Sequence, residues 1–498
     1  MKHTLLKKLP LLIGILIFSK FSLAESSPNN FSCNGNLHQE IKALWKNSIK
    51  KEVQETQIKK AMLETGDIYP LYDLENYLNN YFSLSKRCKD RVAISEIAEV
   101  LLPAFNAQTK IEQKRELRWV CKGGGRCNKK NGLLGKEIDL NSLQFLGFAT
   151  AVAAALSKDE DALKLNSTKE FIQKTTGSAT SKLADFSKNP NYMKSLLRNT
   201  IAKNTDVTAE NSNKLLMRDH EVWMLVILAN LAGTEEAEFE KNVLSDPDLQ
   251  RLAKSLNALF IKRTHIKTDA GSQKKTAEID RGFWRLRDDS RYAGYEGHNA
   301  PIANCLNNDL MTYSPRGKSI EKSEGNLTPP PPLESVGWDI SHARRLVPLF
   351  ESMQSYGVQF SNTYDIPKEK TIGNEVIKAY AQQLISNLWN KDKKHPLFKN
   401  YWSGANGWYR VGYKDGVKCN TGYPPYGLSI AVPVGGYFSW SHLEKELKEI
   451  GITILTLLNS DENDAKEFIR ENYQGFSDVA TKRTRDLNKF MFYPTLIN

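Results

Sequence analysis

Several familiar catalytic signatures are missing from this 498-residue chain. No Cys-x-x-Cys pair occurs among its 6 cysteines, and its 8 histidines show no metal-ligand spacing, which argues against a metal site. His220-Glu221 opens like a zinc-protease helix. Position 224 is methionine, however, so the second histidine of H-E-x-x-H is absent. Gly123-Gly124-Gly125 lies in no Walker pattern, and no G-x-S-x-G elbow is present. Beyond the first 24 residues no apolar run is long enough to cross a bilayer. Phe145–Leu156 and Val222–Ala232 are about a dozen residues each and read as buried helices.

What is present begins with a leader. Lys2, Lys7 and Lys8 precede an apolar run from Leu9 to Phe18, and Ser22-Leu23-Ala24 places small residues before a cut. This reads as an export signal cleaved near Ala24, with a periplasmic or secreted product and no transmembrane segment in the mature chain. The leader carries four lysines (Lys2, Lys7, Lys8 and Lys20) and no acid, so its removal lowers the formal charge from +12 to about +8. That modest excess favours an anionic partner, an acidic polysaccharide or other cell-envelope polymer. Nucleic acid is the weakest candidate for an exported chain without a binding motif. All six cysteines lie in the mature part, an even count that suits disulfides in an exported protein. Cys121 and Cys127 bracket KGGGR and are placed to close a short loop. Sequence proximity pairs Cys33 with Cys88 and Cys305 with Cys419.

Helical periodicity dominates. Segments Leu37–Glu64, Tyr69–Lys86, Arg91–Phe105, Asn141–Leu156, Thr168–Phe186, Tyr192–Lys203, Ser212–Leu231 and Leu249–Arg263 read as helices. Ile340–Tyr356, Ile372–Asn390, Ser441–Leu458 and Glu462–Tyr473 follow. The chain divides into a leader (1–24), an N-terminal helical region (25–140) and helical hairpins with a candidate site loop (141–313). A Pro-rich loop or linker (314–336) and C-terminal helices with an aromatic loop region (337–498) complete it. Pro329–Pro332 favour an extended segment. The expected fold is mainly α, with hairpins forming an (α/α) toroid or an irregular bundle.

Three stretches are suited to chemistry. Asp280–Cys305 mixes Arg291, Tyr295, His298 and Asn299 with Asp288, Asp289 and Glu296, or alternatively is a charged surface loop. Gly337–Val347, "GWDISHARRLV", places Asp339 as an N-cap, with Trp338, His342 and Arg345 at a helix start that welcomes anions. Asn400–Trp440 holds ten aromatic residues. Trp402, Trp408, Tyr409 and Tyr426 are suited to stacking on sugar faces, or else to packing a small loop subdomain.

The leader, the disulfides and the aromatic loops on a helical scaffold together resemble exported (α/α)-toroid carbohydrate-active enzymes, particularly polysaccharide lyases, over Asn141–Leu458. The resemblance is one of architecture and composition. β-Elimination on a uronate needs a group that neutralises the carboxylate, a base and an acid. Arg291, Asn299 and Arg345 suit the first role, His298 or His342 the base, and Tyr295 the acid. No cofactor or metal is called for. The rival readings are a glycoside hydrolase, using two of Asp288, Asp289, Glu296 and Asp339, and a non-enzymatic binding module.

Overall fold

A computed structural model describes residues 28–111, 116–203, 216–234, 245–269, 271, 273–281, 335–410 and 422–497, with the backbone of 310–314, 317–323, 414–415 and 418–419. Helix accounts for 65% and strand for 7%, so the mainly α class expected from periodicity is the class observed. The helices are α1 (Asn36–Leu44), α2 (Pro70–Arg87), α3 (Arg91–Leu101), α4 (Asp139–Leu156) and α5 (Asn166–Ser187). Next come α6 (Pro190–Ile201), α7 (Asp219–Gly233), α8 (Pro247–Arg263), α9 (Ile340–Ala343) and α10 (Leu346–Thr363). The last are α11 (Asn374–Gln383), α12 (Ala431–Val434), α13 (Lys445–Leu458), α14 (Asn463–Asn472) and α15 (Lys482–Phe492). Four short antiparallel pairs lie among them: β1 (Gln108–Ile111) with β2 (Glu116–Trp119), and β3 (Thr264–Thr268) with β4 (Lys275–Ile279). The other two are β5 (Leu310–Ser314) with β6 (Gly317–Ser323), and β7 (Lys414–Asp415) with β8 (Lys418–Cys419).

Four helices form a parallel centre. From α4, Asn141 donates to the Ile68 carbonyl just before α2 and Gln144 to that of Tyr72 on α2, and farther along Phe82 meets Phe148. Between α2 and α10 with the two residues leading into it, the pairs are Glu75 with Arg344, Ser83 with Glu351, and Lys86 with Ser355. Arg345, which starts α10, reaches Asp219 at the start of α7, and Tyr356 packs on Gly233 at its end. The registers advance together, so α2, α4, α7 and α10 have their N-termini at one end and their C-termini at the other. Lys86 and Lys158 lie over the ring of Tyr356 at the C-terminal end, where helix dipoles favour cations.

Residue size explains how closely this group packs. A Cβ on Gly147 of α4 would sit 2.5 Å from the Trp223 ring of α7, and one on Gly233 would sit 2.3 Å from the Tyr356 ring. The glycines let large rings fill the space between helices. α4 and α7 are apolar on every side because neighbours cover every side. α4 is long and apolar enough to span a bilayer, yet 78% of it is buried inside the protein, which makes it a core helix.

One expected helix is broken. Ile340–Tyr356 reads as continuous, but α9 ends at Ala343 and α10 begins at Leu346. Pro348 has no N–H and is tolerated only in a first turn, so the helix restarts just before it. The region Leu37–Glu64 is continuous but winds with wide i→i+5 turns over Trp45–Ile49 and Glu52–Thr65. Helices α12 and α15 and the strand pairs β1–β2, β3–β4 and β5–β6 are additional to those expected.

Cys33 is bonded to Cys88, tying the start of α1 to the end of α2, and Cys121 is bonded to Cys127. Both pairs are those expected. Cys305, the leader Met1–Ala24 and the proline run Pro329–Pro332 lie outside the described residues.

Candidate functional site

The site lies where the four N-termini meet. Asp339 is fully buried and caps α9: its Oδ1 accepts from the backbone N–H of Ser341 at 2.9 Å and of His342 at 3.1 Å. Its Oδ2 faces His342 Nδ1 at 2.6 Å. The His342 Nδ1–H therefore donates to the Asp339 carboxylate, and Nε2 becomes the basic nitrogen. The position of the dyad is set by backbone pairing. The Ile340 N–H donates to the Asn400 carbonyl, and the Trp402 N–H to that of Trp338. Burial works against charge on Asp339, but the His342 imidazole, the Ser341 hydroxyl and the Arg410 guanidinium outweigh it and hold the carboxyl well below its usual range. His342 keeps 16% of its side chain exposed. Tyr409 Oη lies 3.3 Å from His342 Nδ1.

Arg345 occupies the centre of the neighbouring polar group. It contacts Asp219 at 3.5 Å, the Tyr72 hydroxyl at 3.1 Å and the His342 carbonyl at 3.2 Å. Arg344 grips both oxygens of the fully buried Glu75, and Gln144 donates to the same carboxylate. Burial opposes charge on Asp219 too, and Arg345, His342 and His220 overcome it, lowering its pKa. His220 is half-buried, and burial lowers its pKa below the ordinary imidazole value. Asp73, on α2, is pushed up to about 6 by burial, against the pull of Arg126. Four converging N-termini add partial positive charge to this end. The arrangement can orient an imidazole for proton transfer and can attract an anion.

The sequence-derived candidates fall into three groups. His342, Trp338, Arg345 and Tyr409 are brought together, but only His342 is open to solvent. Trp338 is buried, and its Nε1 donates to Asp280 Oδ2 at 3.0 Å. Arg345 is 2% exposed and already paired, so it braces Asp219 and Tyr72 where a substrate carboxylate was expected. Trp402 (0% exposed), Trp408 (2%) and Tyr409 (1%) are interior rings. Trp402 stacks on Tyr437 and donates from Nε1 to the Ala277 carbonyl. The rings in this loop region are held by Asn400, whose side chain bonds Gly407, Pro424 and Leu428. Trp402, Trp408 and Tyr409 thus pack the loop region, the alternative expected for them, whereas Tyr426 is only half-buried. Arg291, Tyr295, His298 and Asn299 lie outside the described residues, as do Asp288, Asp289 and Glu296.

Of the stretch Asp280–Cys305 only Asp280 and Arg281 lie among the described residues. Asp280 accepts from Trp338 and from the Met217 N–H, and Gly337 lies against the Ile279 and Asp280 carbonyls. Asp280 and Arg410 both take left-handed backbone conformations, φ 47° and 58°, which cost energy in non-glycine residues and gather at functional positions. Tyr72, Glu75, Asp219, His220, Arg344 and Arg410 were missed as site residues. Only Asp219-His220-Glu221, a polar triplet opening an apolar helix, gave a local signal. Among the described residues no group of three His, Cys, Asp or Glu is placed to hold a metal ion.

No known protein family matches the chain, and no curated protein or solved structure matches it.

Proposed function

We propose that the His342 cluster is an acid–base site acting on an acidic polysaccharide, and that it cleaves the chain by β-elimination. The observation that carries this is the Asp339–His342 dyad, partly open where four helix N-termini converge. His342 Nε2 removes the proton beside the sugar carboxylate, Asp339 holds the resulting imidazolium, and the positive helix ends favour the anionic substrate. Hydrolysis by paired carboxylates needs one protonated acid and one ionised. Asp219 and Asp339, the acids around His342, are both held towards the ionised form, which favours elimination. Two disulfides fit an oxidising compartment and support a periplasmic or secreted location.

The test is to incubate the mature protein with a panel of uronate-containing glycans and follow ultraviolet absorbance. Elimination yields an absorbing unsaturated sugar; hydrolysis does not. H342Q should lower that rate by at least about 10²-fold. Binding without cleavage across the panel would make the protein a binding module. Reducing ends without absorbance would make it a hydrolase.

A further inference from the structure

We infer that Tyr72 is the proton donor of this site, the group that protonates the leaving oxygen. The inference rests on the elimination reading above and gives Tyr72 the acid role expected of Tyr295, which lies outside the described residues.

Three observations on α2 carry it. First, the Tyr72 hydroxyl oxygen accepts from Arg345 Nη2 at 3.1 Å, and Arg344 also lies within its hydrogen-bond reach. Second, no acceptor for the Tyr72 O–H proton lies among the described residues, so that proton is available to a ligand. Third, Tyr72 is half-buried, whereas Tyr409, the other phenol near His342, is 1% exposed. Tyr409 can steady the imidazole but is closed to substrate. One guanidinium links the two ends of the reaction: Arg345 bonds both the His342 carbonyl and the Tyr72 hydroxyl.

The step balances as follows. His342 Nε2 takes the proton on the carbon beside the carboxylate. The C–H electron pair becomes the new C=C bond, and the C–O bond to the leaving sugar breaks with its pair going to oxygen. The Tyr72 proton goes to that oxygen. Arg344 and Arg345 stand against the phenolate left behind, where charge-assisted hydrogen bonds are strongest. The imidazolium proton returns to Tyr72 through water, and no oxidant or reductant is involved.

The test is Y72F, which removes only the hydroxyl, assayed on two substrates. One is the polymeric uronate that wild type cleaves; the other is a nitrophenyl uronide in which nitrophenolate is held as an ether at C4, the position from which elimination expels the leaving group. Y72F should lose at least about 10²-fold in kcat on the polymer and recover most of that loss on the nitrophenyl uronide, which needs no acid. H342Q should lose both. Equal loss on both substrates, or full activity on both, overturns the assignment while leaving His342 as base. Wild type without absorbance on any glycan, or an H342Q variant of full activity, overturns the elimination reading and this inference with it. If Y72F does not fold, 3-fluorotyrosine at position 72 keeps ring and hydroxyl and makes the proton more acidic. The alkaline limb of the rate profile should then move to lower pH, and an unmoved limb overturns the assignment.

Discussion

Asp339 Oδ2 and His342 Nδ1 meet at 2.6 Å across a single helical turn, and the other oxygen of the same carboxylate caps that helix. One buried group therefore fixes where α9 begins and which way the imidazole turns. The capping interaction is local and depends only on i, i+2 and i, i+3 spacing. Its placement among other charges depends on α2 and α7.

Replacing Asp339 should separate these two duties. D339N keeps an oxygen for capping but gives up the charge that stands against the imidazolium. Turnover should fall by at least about 10²-fold with little change in KM. D339A should also lose about 1 kcal/mol or more of stability, because two helix N–H groups go uncapped. Kinetics and urea unfolding of both variants check this. Equal stability loss with unchanged turnover would reduce the dyad to a cap.

Asp280 gives the stability a pH dependence of opposite sign to that of the site carboxylates. Burial pushes its carboxyl up to about 7, against the pull of Arg263, Trp338 and the Met217 N–H. The folded state therefore keeps the proton after the unfolded chain has lost it. The stabilising contribution is full below the ordinary value of 3.8, shrinks as pH rises, and is gone above about 7. D280N does not titrate. Unfolding free energies of wild type and D280N, measured from pH 4 to 8, should diverge in favour of the variant as pH rises to 7 and run parallel above it. Curves parallel throughout would show Asp280 ionised in the fold at every pH.

The helical class was legible because apolar spacing persists over long segments, and α2, α4 and α13 fall close to where that spacing puts them. The cap, His342 and Arg345 were legible for the same reason: they lie within one turn of each other. Tyr72, Glu75 and Asp219 were not, because they reach Arg344 and Arg345 only through packing of helices distant in sequence. Composition left one choice open. The aromatics of Asn400–Trp440 announce a region rich in rings but not which way the rings face. Trp402 is turned inward by Ala277 of β4 and by Gln383 of α11, which bonds its carbonyl. Neither partner lies in the loop's own sequence.

The parallel centre predicts a steep cost for one added methyl group. G147A places a Cβ 2.5 Å from Trp223 Cε3, and Val226 closes the other side at 3.5 Å. Alanine improves helix propensity, so a tolerant site would gain stability. Overpacking should win here, with a loss of about 1–3 kcal/mol. Thermal and urea unfolding decide the sign. A stabilised G147A would show that Trp223 can swing away and that α4 and α7 are less tightly fixed than their contacts indicate.

Arg345 offers the sharpest contrast between a substrate-binding role and a bracing one. A binding arginine would be open to solvent, and its loss would raise KM while leaving the fold intact. This guanidinium is instead 2% exposed and already engaged by Asp219, Tyr72 and the His342 carbonyl. R345M leaves the Asp219 carboxylate without its main cationic partner, so the fold should lose about 3–5 kcal/mol. D219N removes the charge that then lacks a partner. The double variant R345M/D219N should therefore be less destabilised than the two single losses added together, because each change removes part of the same interaction. A four-way urea unfolding comparison gives that coupling directly. Additive losses would mean that Arg345 and Asp219 do not act as a pair. A normal stability with raised KM in R345M would return the arginine to the substrate.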